Sequence, residues 1–424
     1  MLEQPQIKEI DIPENIVIDK ERKLVSLYGE PVIFHCHHYN LFLQQTISDP
    51  PFINGIEILQ DSSQEINFSQ LKNAFETHKA QSIEEKFAIA SALFKFQGFG
   101  IISFSGDETG GTANLTSSHY AQGWTSKYAS QIQRSKPIDH FAVGFAAAVF
   151  DVIFADLGHF TAIEESCSAV TKTPGCTIQI SKAPVPRKLE PSPGMGKLTD
   201  APIELPRGET NVDYEAVNEA LWGLPLAGDD DGLIRAFNVL LTHMPSNYYN
   251  RIQYRFVEEL RQVHPDLCNV GKELIRESGH VCVFYTFGNI MESVEWEAVV
   301  QPMIKNDTDW VHGGFAVASS LGWGRWDALE VESDKSVRVA IDGNYETNYH
   351  MATYDQATDA RCFFAQGAIP AMMNIVYNGK IQEKPELTEV FYERLFKQGN
   401  VFHAREIKAR EKGDPYCEFI ADRN

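Results

Sequence analysis

Acidic and sulfur-containing side chains recur in a similar order in two stretches of the chain, residues 138–180 and residues 361–421. The first stretch offers two carboxylates and two thiols, namely Asp139, Glu164, Cys167 and Cys176. Thiolates and carboxylates gathered at a helix end and a hairpin are ligands that zinc and iron accept in proteins. We therefore predict a metal site in this stretch. Buried, reduced cysteines that pack as small hydrophobic side chains would also explain the two thiols.

The second stretch offers a smaller set of metal ligands. Its members are Cys362, Glu406 and Cys417, and Ala409 occupies the place of a second cysteine in the hairpin. Three protein ligands would leave one coordination position open, which is the arrangement of a reactive metal site rather than a closed one. The cofactor predicted for either stretch is zinc or iron.

Strand geometry places a condition on the first site. On a regular strand residues two apart share a face, so Cys167 lies on the face of Glu165 and not on that of Glu164. A β-bulge between these positions would bring Glu164 round to the thiol. The predicted metal site therefore requires a bulge in the first strand of the hairpin.

A run of histidines near the beginning of the chain provides a rival site. His35, His37 and His38 surround Cys36, in a segment (residues 32–47) whose apolar spacing predicts a helix. His35 and His38 are three residues apart, so they would share one helix face and could bind a metal or act as general acid and base. We predict these histidines as candidate catalytic residues, and a solvated helix start is the alternative.

The same order of elements positions the candidate ligands in both stretches. An apolar segment carries a glycine (Gly144 or Gly367), and a polar-alternating segment, a turn with a proline and a final strand follow it. These periodicities predict a helix followed by a two-stranded hairpin in each stretch. Because the order is shared, the chain is interpreted as an internal duplication.

The predicted fold class is α/β (α+β), with two tandem repeats, each an antiparallel sheet packed with helices. The repeats would form a pseudo-two-fold pair within one chain. A stretch rich in proline separates them, which predicts a first unit over residues 1–181, a connection over residues 182–212 and a second unit over residues 213–424.

Composition excludes several classes of partner. The chain has 424 residues and a formal charge of −21, whereas a protein that binds nucleic acid or an anionic membrane needs a basic surface. Seven widely spread cysteines do not form a disulfide framework. The first twenty residues lack the basic region and apolar run of a signal peptide, and the apolar run around residues 141–154 is shorter than a membrane span, so we expect neither feature. We therefore expect a cytoplasmic protein that binds neither nucleic acid nor membrane.

Motifs in both stretches resemble those of the 4-vinyl reductase domain family. The residues that carry the resemblance are Glu164-x-x-Cys167 in the first stretch and residues 413–419, Gly-Asp-Pro-Tyr-Cys-Glu-Phe, in the second. The family includes ligand-sensing domains of aromatic-responsive bacterial activators, and its fold resembles subunits of the TRAPP tethering complex. The resemblance implies a tandem pair of such domains, which bind small hydrophobic molecules.

The resemblance also implies a zinc ligand set of three cysteines and one glutamate. One of these cysteines lies five residues before the helix glycine, a position that Asp139 and Cys362 occupy in the two stretches. Each stretch therefore departs from the family pattern at one cysteine, Asp139 in the first and Ala409 in the second.

By the same resemblance, a ligand pocket would lie between the helices and the sheet. Aromatic walls with a few polar groups suit a small apolar or aromatic molecule. The candidate pocket residues are His119, Tyr120, Trp124, Tyr345 and Tyr349. Ordinary core packing is the alternative for each of them.

The resulting functional prediction is a metal-containing protein that binds a small hydrophobic or aromatic molecule. One alternative is a metal-dependent enzyme, with zinc or iron held by the second ligand set or by the histidine run. Reduction of a vinyl group is disfavoured, since the sequence has no nicotinamide or flavin fingerprint. A non-catalytic scaffold for protein contacts is the other alternative.

Overall fold

The computed structural model describes residues 10–129, 132–185, 187–195, 202–357 and 359–423. The ends of the two predicted units, residues 1–9 and residue 424, lie outside the described residues, as do residues 186 and 196–201 of the predicted connection. Within the described ranges the chain is an α+β protein whose strands form three antiparallel sheets.

Strands and α-helices are interspersed along the whole of the described chain. The strands are β1 (Ile16–Asp19), β2 (Leu24–Leu27), β3 (Glu30–Cys36), β4 (Gly100–Asp107), β5 (Gly110–Ser118), β6 (Phe160–Ser166), β7 (Cys176–Lys182), β8 (Ile234–Ala236), β9 (Val239–Pro245), β10 (Arg325–Glu332), β11 (Ser336–Asp342), β12 (His403–Lys408) and β13 (Cys417–Asp422). The α-helices are α1 (His37–Ser48), α2 (Gly55–Thr77), α3 (Ile83–Phe96), α4 (His119–Tyr128), α5 (His140–Ile153), α6 (Ser168–Thr171), α7 (Tyr214–Trp222), α8 (Ser246–Val263), α9 (Cys268–Cys282), α10 (Gly288–Met291), α11 (Val294–Val299), α12 (Asp307–Ser320), α13 (Tyr345–Thr353), α14 (Phe363–Met373) and α15 (Glu389–Lys397).

Two of the sheets have four strands each, in the orders β4-β5-β7-β6 and β10-β11-β13-β12. In each, a helix (α5 or α14) precedes the strand pair that completes the sheet (β6 and β7, or β12 and β13). The helix followed by a two-stranded hairpin that the sequence predicts is therefore confirmed in both stretches. The helices pack against the sheets through their apolar side chains.

The third sheet has five strands in the order β1-β2-β3-β9-β8 and joins the two halves of the chain. Its central pair aligns Phe34 of β3 with His243 of β9. The prediction of one helix over residues 32–47 is wrong, because the first part of this segment is strand β3 and α1 begins only at His37. Pairing with a strand about two hundred residues away overrides the local helical spacing.

Glycines permit close contacts between helices at corresponding places in the two stretches. A Cβ atom on Gly144 of α5 would lie 2.3 Å from the carbonyl oxygen of Gln60 in α2. A Cβ atom on Gly367 of α14 would lie 2.0 Å from the carbonyl oxygen of Arg276 in α9. Each glycine therefore sets the separation between the helix that precedes a hairpin and its neighbour.

Helix α5 is the most apolar of these elements, and its residues are almost all buried. It is 14 residues long, and no helix in the described ranges combines the length and the hydropathy that crossing a bilayer requires. Its burial between α2 and the sheet of β6 and β7 explains its composition. The N-terminus of α5 is fixed in this way beside the hairpin that carries the candidate ligands.

Candidate metal centres

The first candidate centre lies where the N-terminus of α5 meets the β6–β7 hairpin. Its four residues are Asp139, Glu164, Cys167 and Cys176, and one ligand atom from each lies within 4.8 Å of the others. Asp139 is the residue before α5, Glu164 is in β6, Cys167 precedes α6, and Cys176 opens β7. All four side chains are buried. The structure thus brings together the residues that the sequence predicts for this site.

A bulge in β6 makes this arrangement possible. The pairing of β6 with β7 shifts register between Glu164 and Ser166, which turns Glu164 toward the thiols. The corresponding strand of the second stretch, β12, shifts register between Glu406 and Lys408. The bulge that the sequence requires is therefore present in the first hairpin and has a counterpart in the second.

Hydrogen bonds hold the first group together. The backbone N–H of Asp139 donates to Oε2 of Glu164 at 2.8 Å, and Sγ of Cys176 donates to Oδ2 of Asp139 at 3.4 Å. The N–H of Ser168 donates to Sγ of Cys176 at 3.3 Å. Ser118, which caps α4, donates its hydroxyl to Oδ1 of Asp139. Three separate segments therefore fix the orientation of the ligand atoms.

The second candidate centre occupies the equivalent place beside α14. Its residues are Cys362, Glu406, Glu411 and Cys417, again with ligand atoms within 4.8 Å of one another. The Sγ atoms of Cys362 and Cys417 are 3.6 Å apart. The side chain of Asn344, which caps α13, donates to Sγ of Cys362 at 3.2 Å. Asn344 thus orients Cys362 by a hydrogen bond, as Ser118 orients Asp139 in the first group.

Glu411 is the ligand candidate that sequence reasoning missed. It lies in the short 3-10 helix Arg410–Lys412 between β12 and β13, is 1% exposed, and accepts the backbone N–H of Arg361 at 2.6 Å. Glu411 thus adds a fourth candidate donor, a carboxylate, to the three residues that the sequence predicts. An acidic residue two positions after the missing cysteine was the available signal.

Electrostatics in both groups favour a bound cation. Burial raises the pKa of Asp139 to about 7 and that of Glu164 to about 10, and the nearby acidic groups add to both shifts. Burial likewise raises the pKa of Glu406 to about 8, with Glu411 as the next cause. Carboxylates packed together without a cation are costly to ionise. A divalent metal would remove this cost by neutralising them.

Carboxylate oxygens without a hydrogen-bond partner are a second indication that both groups suit a metal ion. Oε1 of Glu164, Oε1 of Glu406 and Oε2 of Glu411 are buried and have no hydrogen-bond partner in the described part of the chain. A buried acceptor without a partner costs about 1–3 kcal/mol, so native proteins rarely leave one unused. Each group could therefore hold a metal through these oxygens and its two thiols.

The histidine run does not form one site. His35 is on strand β3 rather than on a helix face with His38, and it is fully buried between Tyr39 and Trp323, whose ring centroids lie 4.0 Å and 4.8 Å from its own. His37 and His38 open α1 and line a separate cavity of about 890 Å³. Burial lowers the pKa of His37 to about 4, so its imidazole is neutral at pH 7. A catalytic role for the three histidines stays a prediction.

The predicted aromatic pocket residues are also divided between different surroundings. His119, Tyr120, Tyr345 and Tyr349 are buried. Tyr345 and Tyr349 line a cavity of about 10 Å³, which holds at most one water molecule. Trp124 lines a cleft of about 790 Å³ beside the first metal group. Of these five residues, Trp124 is therefore the one with space for a ligand in the cavities described.

Comparisons with known proteins give a structural similarity and no sequence match. No protein-family model matches the sequence, and no curated protein matches it. Among solved structures, the chain is similar to the phenol-responsive sensory domain of the transcription activator PoxR, crystallised with phenol. The two are 13% identical, the match covers 40% of this chain and 86% of that chain, and the TM-score is 0.32.

Proposed function

We propose that this protein binds two metal ions, zinc or iron, and a small hydrophobic or aromatic molecule. The observation that carries the metal proposal is the convergence of two thiols and two carboxylates in each group, with unpaired buried oxygens on Glu164, Glu406 and Glu411. Asp139, Glu164, Cys167 and Cys176 would hold one ion. Cys362, Glu406, Glu411 and Cys417 would hold the other.

The donor set favours a structural role for each ion. Zinc in structural sites takes four protein ligands, whereas catalytic zinc keeps one position for water or substrate. Because Glu411 adds a fourth donor to the second group, that group is no longer a three-ligand set with an open position. Each ion would tie the N-terminus of a helix to the hairpin that follows it. The ion would thereby stabilise the fold.

We further propose that the chain is a tandem pair of 4-vinyl reductase-like units, over residues 1–181 and 213–424, joined by residues 182–212. The corresponding strand orders of the two four-stranded sheets support a duplication. The antiparallel pairing of β3 with β9 supports a pseudo-two-fold axis between them, because each strand leads directly into a helix, α1 or α8. The two metal groups would then be related by this axis.

Metal analysis of the purified protein tests the proposed function. Elemental mass spectrometry should find two equivalents of zinc or iron per chain. Treatment with a strong chelator should remove both metal ions. Thermal unfolding should then occur at a lower temperature, because a ligand that binds only the folded state stabilises it by mass action. Protein that folds without stoichiometric metal, and does not take it up when it is added, would contradict the proposal.

A further inference from the structure

A cleft of about 790 Å³ adjoins the first metal group. We call it the Trp124 cleft; its walls are α4, residues 132–134 and the segment 168–175. Ser118 and Ser168 line the cleft on one side and hydrogen-bond to metal-ligand candidates on the other, Ser118 to Asp139 and Ser168 to Cys176. A molecule in the cleft would therefore be separated from the metal group by one layer of side chains.

The indole of Trp124 forms part of the wall of this cleft. Its side chain is 5% exposed. The neighbouring Ile132, Ala169 and Val170 give the cleft apolar surface against which a flat ring would pack.

Two cationic side chains that form no ion pair in the described part of the chain, Arg134 and Lys172, line the same cleft. Arg134 lies with its guanidinium carbon 4.7 Å from the Trp124 ring centroid and donates to the carbonyl oxygens of Lys136 and Pro137 at 2.7 and 3.2 Å. Neither Arg134 nor the exposed Lys172 forms an ion pair with any residue that the structure describes. At longer range four acidic groups attract Arg134, namely Asp49 and three members of the first metal group, Cys167, Glu164 and Asp139. Two cations that lie outside any ion pair of the described chain, in a protein of net charge −21, would attract an anionic ligand to this cleft.

We propose that the Trp124 cleft binds a small aromatic carboxylate, with its ring beside Trp124 and its carboxylate on Arg134. This inference rests on the proposed function. It narrows the small hydrophobic or aromatic molecule proposed there to an aromatic carboxylic acid. Nε and Nη2 of Arg134 already donate to backbone carbonyl oxygens, so Nη1 and the second N–H of Nη2 form the pair that would bind a carboxylate. A carboxylate accepts two such parallel hydrogen bonds, one on each oxygen, whereas a neutral aromatic molecule does not. Lys172 adds a second positive charge at the cleft entrance, and Ser118 and Ser168 connect the occupied cleft to the metal ligands.

Titration with benzoate tests the proposal, and benzamide is the neutral comparison of the same shape. Wild-type protein should bind benzoate more tightly than benzamide in a calorimetric titration. Arg134→Gln should weaken benzoate binding by about 10- to 100-fold and leave benzamide nearly unchanged. Arg134→Lys, which keeps the charge but loses the fork, should lie between the two. The matched control is Arg394→Gln, because Arg394 also lies over an aromatic ring, that of Phe391 at 5.0 Å, but in another part of the fold.

A second measurement reports on the metal group. In protein loaded with Co²⁺, the visible absorption bands should shift on addition of benzoate and should not shift in Arg134→Gln. If metal is bound but benzoate and benzamide bind alike, or Arg134→Gln binds benzoate as wild type does, the carboxylate site is wrong and the metal proposal stands. If no metal binds, the proposed function fails, and the calorimetric titration still decides whether Arg134 recognises the carboxylate.

Discussion

The Sγ atoms of Cys362 and Cys417 lie 3.6 Å apart although 55 residues separate them in the chain. Cys362 precedes α14 and Cys417 opens β13, so their contact joins a helix N-terminus to the last strand of its sheet. In the first half, Asp139 and Cys176 are in the same relationship, with the carboxylate 3.4 Å from the sulfur. A metal ion at either place would fasten the same two elements.

Replacement of one of these sulfurs should remove one ion. We expect Cys417→Ser to contain about one metal equivalent where wild type contains two, because a serine hydroxyl is a poor ligand for zinc and the remaining group is on another sheet. Elemental analysis of the two proteins measures this directly. Cys268→Ser is the control, since Cys268 belongs to neither group, and it should keep both ions. Unchanged metal content in Cys417→Ser would exclude the second centre.

Glu411→Gln tests the ligand that the sequence did not reveal. The amide keeps the size of the side chain and loses the negative charge, so we expect the second ion to bind about tenfold or more weakly. Competition with a chromophoric chelator measures this affinity, and the first ion serves as an internal reference. Glu383→Gln, at an exposed position in the same half of the chain, should change neither affinity. Equal chelator competition in wild type and Glu411→Gln would remove Glu411 from the site.

The helix and hairpin around each metal group could be predicted because residues close together in the sequence determine both elements. An apolar segment with a glycine and an alternating segment after it determine their own structure, and the alternation also revealed that Glu164 needs a bulge. Side-chain chemistry then identified Asp139, Cys167 and Cys176 as candidate ligands. These features depend on residues close together in the sequence.

The features that were not predicted depend on distant residues. His35 is in a strand because β3 pairs with β9 from the other half of the chain, and no local pattern contains that information. Glu411 reaches its site through the short 3-10 helix between β12 and β13, which replaces the simple turn that the sequence suggested. The division of the aromatic residues between core and cleft likewise follows from tertiary packing.

Replacement of either helix glycine, Gly144 or Gly367, by alanine should destabilise the protein. We expect Gly144→Ala and Gly367→Ala each to lower the free energy of unfolding by about 3 kcal/mol, because the new methyl group would meet a backbone carbonyl oxygen that cannot rotate away. Urea unfolding, followed by circular dichroism, measures the change. Gly223→Ala is the control, since its Cβ atom would meet its nearest neighbour at 3.4 Å. A loss in Gly223→Ala as large as in the other two variants would contradict the packing argument.

Glu30 should make stability depend on pH. Its side chain is 1% exposed, and Ser192 donates a hydrogen bond to Oε2 at 2.6 Å, whereas Oε1 has no partner among the described residues. Burial raises the pKa of this carboxyl from 4.5 to about 8 in the folded protein. The folded state therefore binds the proton more tightly than the unfolded state does, so this contribution to stability is complete below pH 4.5 and is lost as the pH rises through about 8.

Glu30→Gln, which resembles the protonated side chain, should abolish this dependence. Between the ordinary pKa of 4.5 and the folded-state pKa of about 8, the free energy of unfolding of wild type should fall relative to that of the variant by up to about 1.4 kcal/mol per pH unit. Above about pH 8 the difference between the two proteins should stay constant. Urea unfolding of both proteins at several pH values across this range provides the comparison. Glu14→Gln, at an exposed position, is the control and should follow the wild-type curve. If the wild-type and Glu30→Gln curves run parallel, the buried carboxyl does not titrate as its surroundings require.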